Sequence, residues 1–194
     1  MNCKLCIGIA VLISWWATTA CHSNQMNRHI AKENTAVTEE DSARMANIRS
    51  SENNVQMVAE LASSGYLEIE MAKAAKKKSY NREIKKMAAL LQSDDMELMK
   101  QLKQMAANRN IHVSDSVTGN DLQKIAKLTE NNTPAAFDKK WCADVLDENE
   151  TLIAEMEDAA TTITDPALRA WINDALPKIR VHRDKLMQLK YKLR

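Results

Sequence analysis

The run PALRAWINDALPKIRVHRDKLMQLKYKL, residues 166–193, carries Leu168, Ile172, Ala175, Ile179, His182, Leu186, Leu189 and Leu193 at alternating steps of four and three. That spacing puts all eight on one face of a single helix. Seven are apolar and the eighth is His182, so an imidazole is aimed where neighbouring helices must pack. Working back along the chain, the same pattern of an apolar stripe with one polar intruder recurs three times.

The first of these stripes predicts a helix over about Asn54–Lys78, with Val55, Val58, Ala62, Gly65, Ile69 and Ala72 on one side and Leu61, Gly65, Glu68, Ala72 and Ala75 beside them. Glu68 is its intruder. The second predicts a helix over about Asn81–Asn108, with the face Ile84, Ala88, Leu91, Asp95, Leu98, Leu102 and Met105, and Asp95 as its intruder. Thr133-Pro134 supplies a cap and a first-turn proline for a third helix reaching about Thr162. Its face is Phe137, Trp141, Val145, Asn149, Leu152, Met156 and Ala159, and Asn149 breaks it. Asp165-Pro166 opens the fourth helix by the same chemistry, and Pro177 inside it is expected to bend it. Met96 and Met99 read as flexible core filler rather than copper ligands.

With 3 Gly and 3 Pro in 194 residues, little material is left for sheet corners, and the abundant Ala, Leu, Met, Lys, Glu and Gln are good helix formers. The fold class read from this is all-α. The long connection Arg109–Thr133, with a short amphipathic piece at Leu122, Ile125, Ala126 and Leu128, is long enough to cross the bundle lengthwise. Such a crossing makes two antiparallel hairpins, the arrangement of a ferritin-like four-helix bundle.

The N-terminus reads as a targeting segment. Lys4 precedes an apolar run from Leu5 to Ala17, too short to span a bilayer, and Thr18-Thr19-Ala20-Cys21 follows. A small residue before Cys is similar to a bacterial lipobox, although Thr18 stands where that motif usually has Leu. The domain reading is therefore a signal peptide over 1–20, a lipidated Cys21 with a polar tether over 21–53, and the bundle over 54–194. Removing the signal peptide leaves Cys21, which would be acylated, and Cys142, so no intramolecular disulfide is available, and the Cys3/Cys6 pair reads as signal sequence rather than a redox motif. It also takes away only Lys4, which leaves 26 basic against 26 acidic residues. A neutral exported chain argues against nucleic acid as a partner. The expected partner is a membrane, reached through the lipid anchor, and the expected location is the bacterial envelope.

Glu68, Asp95, Asn149 and His182 lie at similar depth when measured at ~1.5 Å per residue from the helix ends, so the four can meet near mid-bundle. Carboxylate and imidazole side chains pointing inward from facing helices hold di-iron centres, but those use Glu-x-x-His on two helices. None of His22, His29, His112 and His182 has a Glu three residues before it. The set reads as a polar core or a vestigial metal site, with no resident cofactor expected and a divalent metal as the alternative.

At these positions the chain resembles the bacterial envelope proteins grouped as the domain of unknown function 4142 family. Gly65-Tyr66-Leu67-Glu68, Phe137-Asp138-Lys139-Lys140-Trp141, and Leu176-Pro177 with His182 match that family's motifs in order and spacing. Asp94-Asp95 stands where the family has Asp-His, and Asn149 where it has a His. The resemblance implies a ferritin-like fold and an envelope location. With two imidazoles replaced, the reading is a non-catalytic binding or stress-related accessory protein, with a degenerate metal-binding protein or a periplasmic holdase as alternatives. Lys73, Lys76, Lys77, Lys78, Arg82, Lys85 and Lys86 surround the first turn. A lengthwise crossing would bring Lys190, Lys192 and Arg194 to that same end, where an anionic lipid, an anionic polymer or an envelope protein could make contact.

Overall fold

The structure, a computed structural model, describes residues 20–117, 119–130 and 133–193, with side chains from Glu39 onward. Its elements, in chain order, are α1 (Ala20–Lys78), α2 (Arg82–Ala107), α3 (Asn120–Thr129), α4 (Pro134–Thr162) and α5 (Pro166–Lys192). Every regular element among the described residues is a helix, as composition requires. The chain divides into two compact units, Met1–Ile48 and Arg49–Arg194. In the first, an Arg44–Asp41 pair at 3.2 Å braces one turn of α1.

The helix start at Asn54 needs correction, because α1 already begins at Ala20. Residues 21–53 contain neither Gly nor Pro, so nothing in them ends a helix. Their missing apolar period reads as a polar tether with room for helix only in its later part, whereas α1 runs through the whole of it. The signal-peptide reading falls, but for Ala20, outside the described residues, and so does the side chain of Cys21. Among the described residues no helix is long and apolar enough to cross a membrane.

Side-chain caps set the other helix starts. Asn81 accepts hydrogen bonds from the backbone N–H of Glu83 at 2.9 Å and Ile84 at 3.4 Å, which starts α2 directly after α1. Thr133 accepts from Ala136 N–H at 3.3 Å ahead of Pro134, and Asp165 accepts from Ala167 and Leu168 N–H at 2.9 and 3.0 Å ahead of Pro166. At the end of α2, Asn110 takes a left-handed φ of 56°, which lets Ile111 N–H return to Ala106 C=O at 2.9 Å. Gly119, at φ 54° and ψ −120°, turns the chain into α3 with a backbone that a side chain would strain.

Two apolar layers establish the topology of the second unit. Val58 and Leu61 of α1 share a cluster with Leu102 of α2, Met156 of α4 and Ile172 of α5. Met71 and Ala75 of α1 share the other with Ile84 of α2, Trp141 of α4 and Leu186 of α5. Helices α1 and α5 therefore run one way and α2 and α4 the other, and the connection crosses the bundle lengthwise. Val113 is buried in the first layer and Leu128 of α3 in the second. Ser63 donates to Asp121 at 2.8 Å, Lys124 pairs with Glu148 at 2.7 Å, and Lys78 Nζ donates to Thr129 C=O, which together fasten α3 along the bundle. The indole N–H of the fully buried Trp141 donates to Met71 C=O at 2.9 Å and fixes α4 against α1.

Four apolar residues are not where periodicity places them: Val55, Leu122, Ala126 and Met96 are exposed, Met96 by 54%. Met99 is buried as expected. Lys192 at the end of α5 lies beside Glu83 and Lys86 at the start of α2, at the lysine-rich end of α1; Arg194 lies outside the described residues.

Candidate functional site

Between the two apolar layers, Glu68, Asp95, Asn149 and His182 are all buried, the most exposed at 3%, and each comes from a different helix. The structure brings the four predicted residues into one strip. Asn149 Nδ2 donates to both Glu68 oxygens, at 3.3 and 3.4 Å. The Glu68 and Asp95 carboxyls share a hydrogen bond, and Asp95 Oδ1 stands 4.0 Å from His182 Nδ1. His182 Nε2 meets Asp94 Oδ2 at 2.9 Å. The order across the core is thus Asn149, Glu68, Asp95, His182, Asp94, with the last partly open to solvent.

Charge is disfavoured along this strip. Burial pushes the Glu68 carboxyl up to about 8, against the opposing hydrogen bond from Asn149; the charge of Glu148 adds to the rise and the bond with Asp95 resists it. Burial raises Asp95 well above the usual carboxylate range, helped by the negative charges of Glu68 and Asp94, and the shared hydrogen bond favours a proton on Asp95. The pair thus favours holding a proton over presenting two bare carboxylates. Burial likewise lowers His182, against the pull of Asp94 and with a push from Lys185 and Lys178. A neutral imidazole donating Nε2–H to the Asp94 carboxylate leaves Nδ1 as an acceptor turned to Asp95. Three atoms of the strip, Asp95 Oδ2, Asn149 Oδ1 and His182 Nδ1, meet no conventional hydrogen-bond partner.

Sequence reasoning missed Asp94 as the surface member. The available signal was its place beside Asp95, about 100° around the helix, which puts it at the border of the buried stripe. Cys142, the one cysteine among the residues described with side chains, is a buried thiol whose S–H donates to Leu186 C=O at 3.5 Å, and burial pushes its titration up to about 11, so it is packing rather than a nucleophile.

A family model described as a domain of unknown function, DUF4142, matches residues 37–189. The chain belongs to the DUF4142 family. The match covers most of the chain, and with it every member of the polar strip. No curated protein and no solved structure matches the chain. The DUF4142 assignment leaves the chemistry of the site to its geometry.

A ferritin-like reading of this DUF4142 chain raises the question of a metal pair, and the donor set does not fit one. Asn149 directs its amide nitrogen, a donor, at both oxygens of Glu68, and burial disfavours the charged carboxylates that a cation would need at Glu68 and Asp95. One imidazole is present, bonded outward to Asp94. Among the described residues no three His, Cys, Asp or Glu side chains group closely enough to hold an ion. What the strip can do chemically is keep its buried carboxyls neutral, and the 4.0 Å between His182 Nδ1 and Asp95 Oδ1 leaves no hydrogen bond linking that pair to Asp94.

Proposed function

We propose that the protein is a non-catalytic, lipid-anchored protein of the bacterial envelope, a ferritin-like bundle acting as a binding or stress-related accessory. The observation that carries the non-catalytic part is the Asn149 to Glu68 pairing: the amide satisfies the carboxyl that a metal or a substrate would otherwise engage. Buried polar networks of this kind set helix register and keep a core unique. The anchoring part rests on the apolar run Leu5–Ala17 followed by Ala20-Cys21. The location in the envelope follows from that anchor.

Two measurements test the proposal. Intact-mass spectrometry of protein taken from its native envelope should find Cys21 as the mature N-terminus carrying diacylglycerol; an unmodified terminus would overturn the anchor. For the site, calorimetry with and without zinc should show no shift in the wild type. The double variant Asp95→His with Asn149→His, which creates a Glu and three-His set, should gain stability, about 2.7 kcal/mol at a hundredfold excess of zinc over Kd. A wild type that is stabilised as much as the variant would make the cluster a metal site and overturn the polar-core reading.

A further inference from the structure

A groove of about 440 Å³ opens between α1, α2 and the connection that follows α2, with Tyr66, Ile69, Met96, Met99, Lys100 and Lys103 among its lining residues. That volume falls within the ~300–1,000 Å³ typical of small-molecule sites. It lies on the side of α2 carrying Met96 and Met99, whereas the surface concavity at His182 is lined by Asp94 and α5 residues and is a separate feature. We propose that this groove binds a single-chain fatty acid, its acyl chain on the Ile69, Met96 and Met99 floor and its carboxylate on Lys100.

The floor comes first. Ile69 and Met99, nearly buried, line its base, while Met96 is 54% exposed and Tyr66 half-buried, so the groove is walled by apolar side chains. Two methionines give that strip a pliable surface suited to a flexible chain. Gly65 shapes it as well: a Cβ at that position would lie 2.5 Å from Met99 Sδ and 2.6 Å from Met99 Cε. Glycine is therefore what allows the Met99 thioether to lie down against α1 and leave the groove open.

The rim supplies the charge argument. Its two acids are already neutralised: Glu70 by Lys73 at 2.6 Å, and Asp115 by Lys103 together with a hydrogen bond to the Tyr66 hydroxyl. Lys100, exposed on the same rim, has no ion pair or hydrogen bond among the described residues. Among the described residues Lys100 is the unpaired cation on this rim, and beside an apolar trough it suits one negative charge at the end of one apolar chain.

The test uses the mature full-length protein and dodecanoate below its micellar concentration, followed by titration calorimetry. Saturable binding at one per chain is expected, with affinity reduced about tenfold or more in Lys100→Glu. Gly65→Ala, which drives the Met99 thioether outward into the groove, should also weaken binding while leaving the helical circular dichroism unchanged. Dodecanol should bind more weakly, and dodecyltrimethylammonium more weakly still. Absence of saturable dodecanoate binding, an unchanged affinity in Lys100→Glu, or equal binding of the cationic analogue would overturn the proposal. So would a concentration-dependent dimer in sedimentation velocity that Lys100→Glu dissociates, since that would assign the groove to a second copy.

Discussion

Asp95 and Asp165 are the same side chain in two parts of the bundle, and their protons are held in opposite ways. Asp165 caps α5 at one end, where Arg109 from the end of α2 reaches it at 2.7 Å and two backbone N–H groups point at it. The Arg109 hydrogen bond is the largest influence, and against a small cost of burial it lowers Asp165 to about 2. Asp95 sits in the middle of the same bundle with Glu68 for a neighbour and no cation, and burial raises it well above the usual range. A carboxylate is thus stabilised where the helix ends leave donors over, and suppressed where every backbone N–H is already used within a helix.

Three variants would break or sharpen that contrast. The largest effect is expected from Glu68→Gln. Glu68 is raised to about 8 from an ordinary 4.5, so the stability tied to its neutral form is complete below pH 4.5 and is lost as pH rises towards 8. The wild type should lose on the order of 3 kcal/mol or less across that window, and Gln should reduce the loss to the part that the raised Asp95 contributes. Denaturant unfolding at stepped pH reads this directly. His182 works against it on the acid side: a lowered imidazole costs stability as pH falls below 6.5, so the variant should still weaken there. Identical profiles for wild type and variant between pH 4.5 and 8 would mean that Glu68 is not held neutral.

A smaller effect is expected at the other aspartate. Asp165→Ala removes the α5 cap and the partner of Arg109, at a cost of about 1–2 kcal/mol at neutral pH. Because Asp165 is depressed, its contribution is present above pH 3.8 and lost as pH falls towards 2, so the gap between wild type and variant should close over that range. A gap independent of pH would leave the capping geometry, and not the charge, as its source.

The smallest effect belongs to the residue between the two settings. Asp94 is 37% exposed at its side chain, so Asp94→Asn should change stability by less than about 1 kcal/mol. The signature is elsewhere: without the neighbouring charge that raises it, His182 should titrate lower still, which ring-proton NMR resolves. An unchanged His182 titration would remove Asp94 from the strip.

Most of the bundle was legible because helices announce themselves through spacing and caps. Trp141, Ile172 and Leu186 could be assigned to a buried face from their neighbours at three and four residues, and Asn81, Thr133 and Asp165 could be read as starts. The same logic failed for α1 before Asn54, where the sequence has no apolar period, and for Val55, Leu122, Ala126 and Met96, which are exposed. In the site, the four buried residues were visible as intruders in apolar stripes. Asp94 was not, because a polar residue at a stripe's edge looks like solvent-facing surface.

By itself, then, the sequence determined that four helices pack through stripes, that each stripe carries one polar residue, and that the connection after α2 is long enough to cross the bundle. Periodicity and reach settle those matters without knowledge of any neighbour. Only the tertiary structure decided that Asn149 turns its nitrogen to Glu68, that His182 looks outward to Asp94, and that Met99 lies flat against Gly65 beneath an open groove. Helical spacing fixes which face a side chain occupies, whereas its rotamer and its partner depend on the atoms that the other helices bring across the interface.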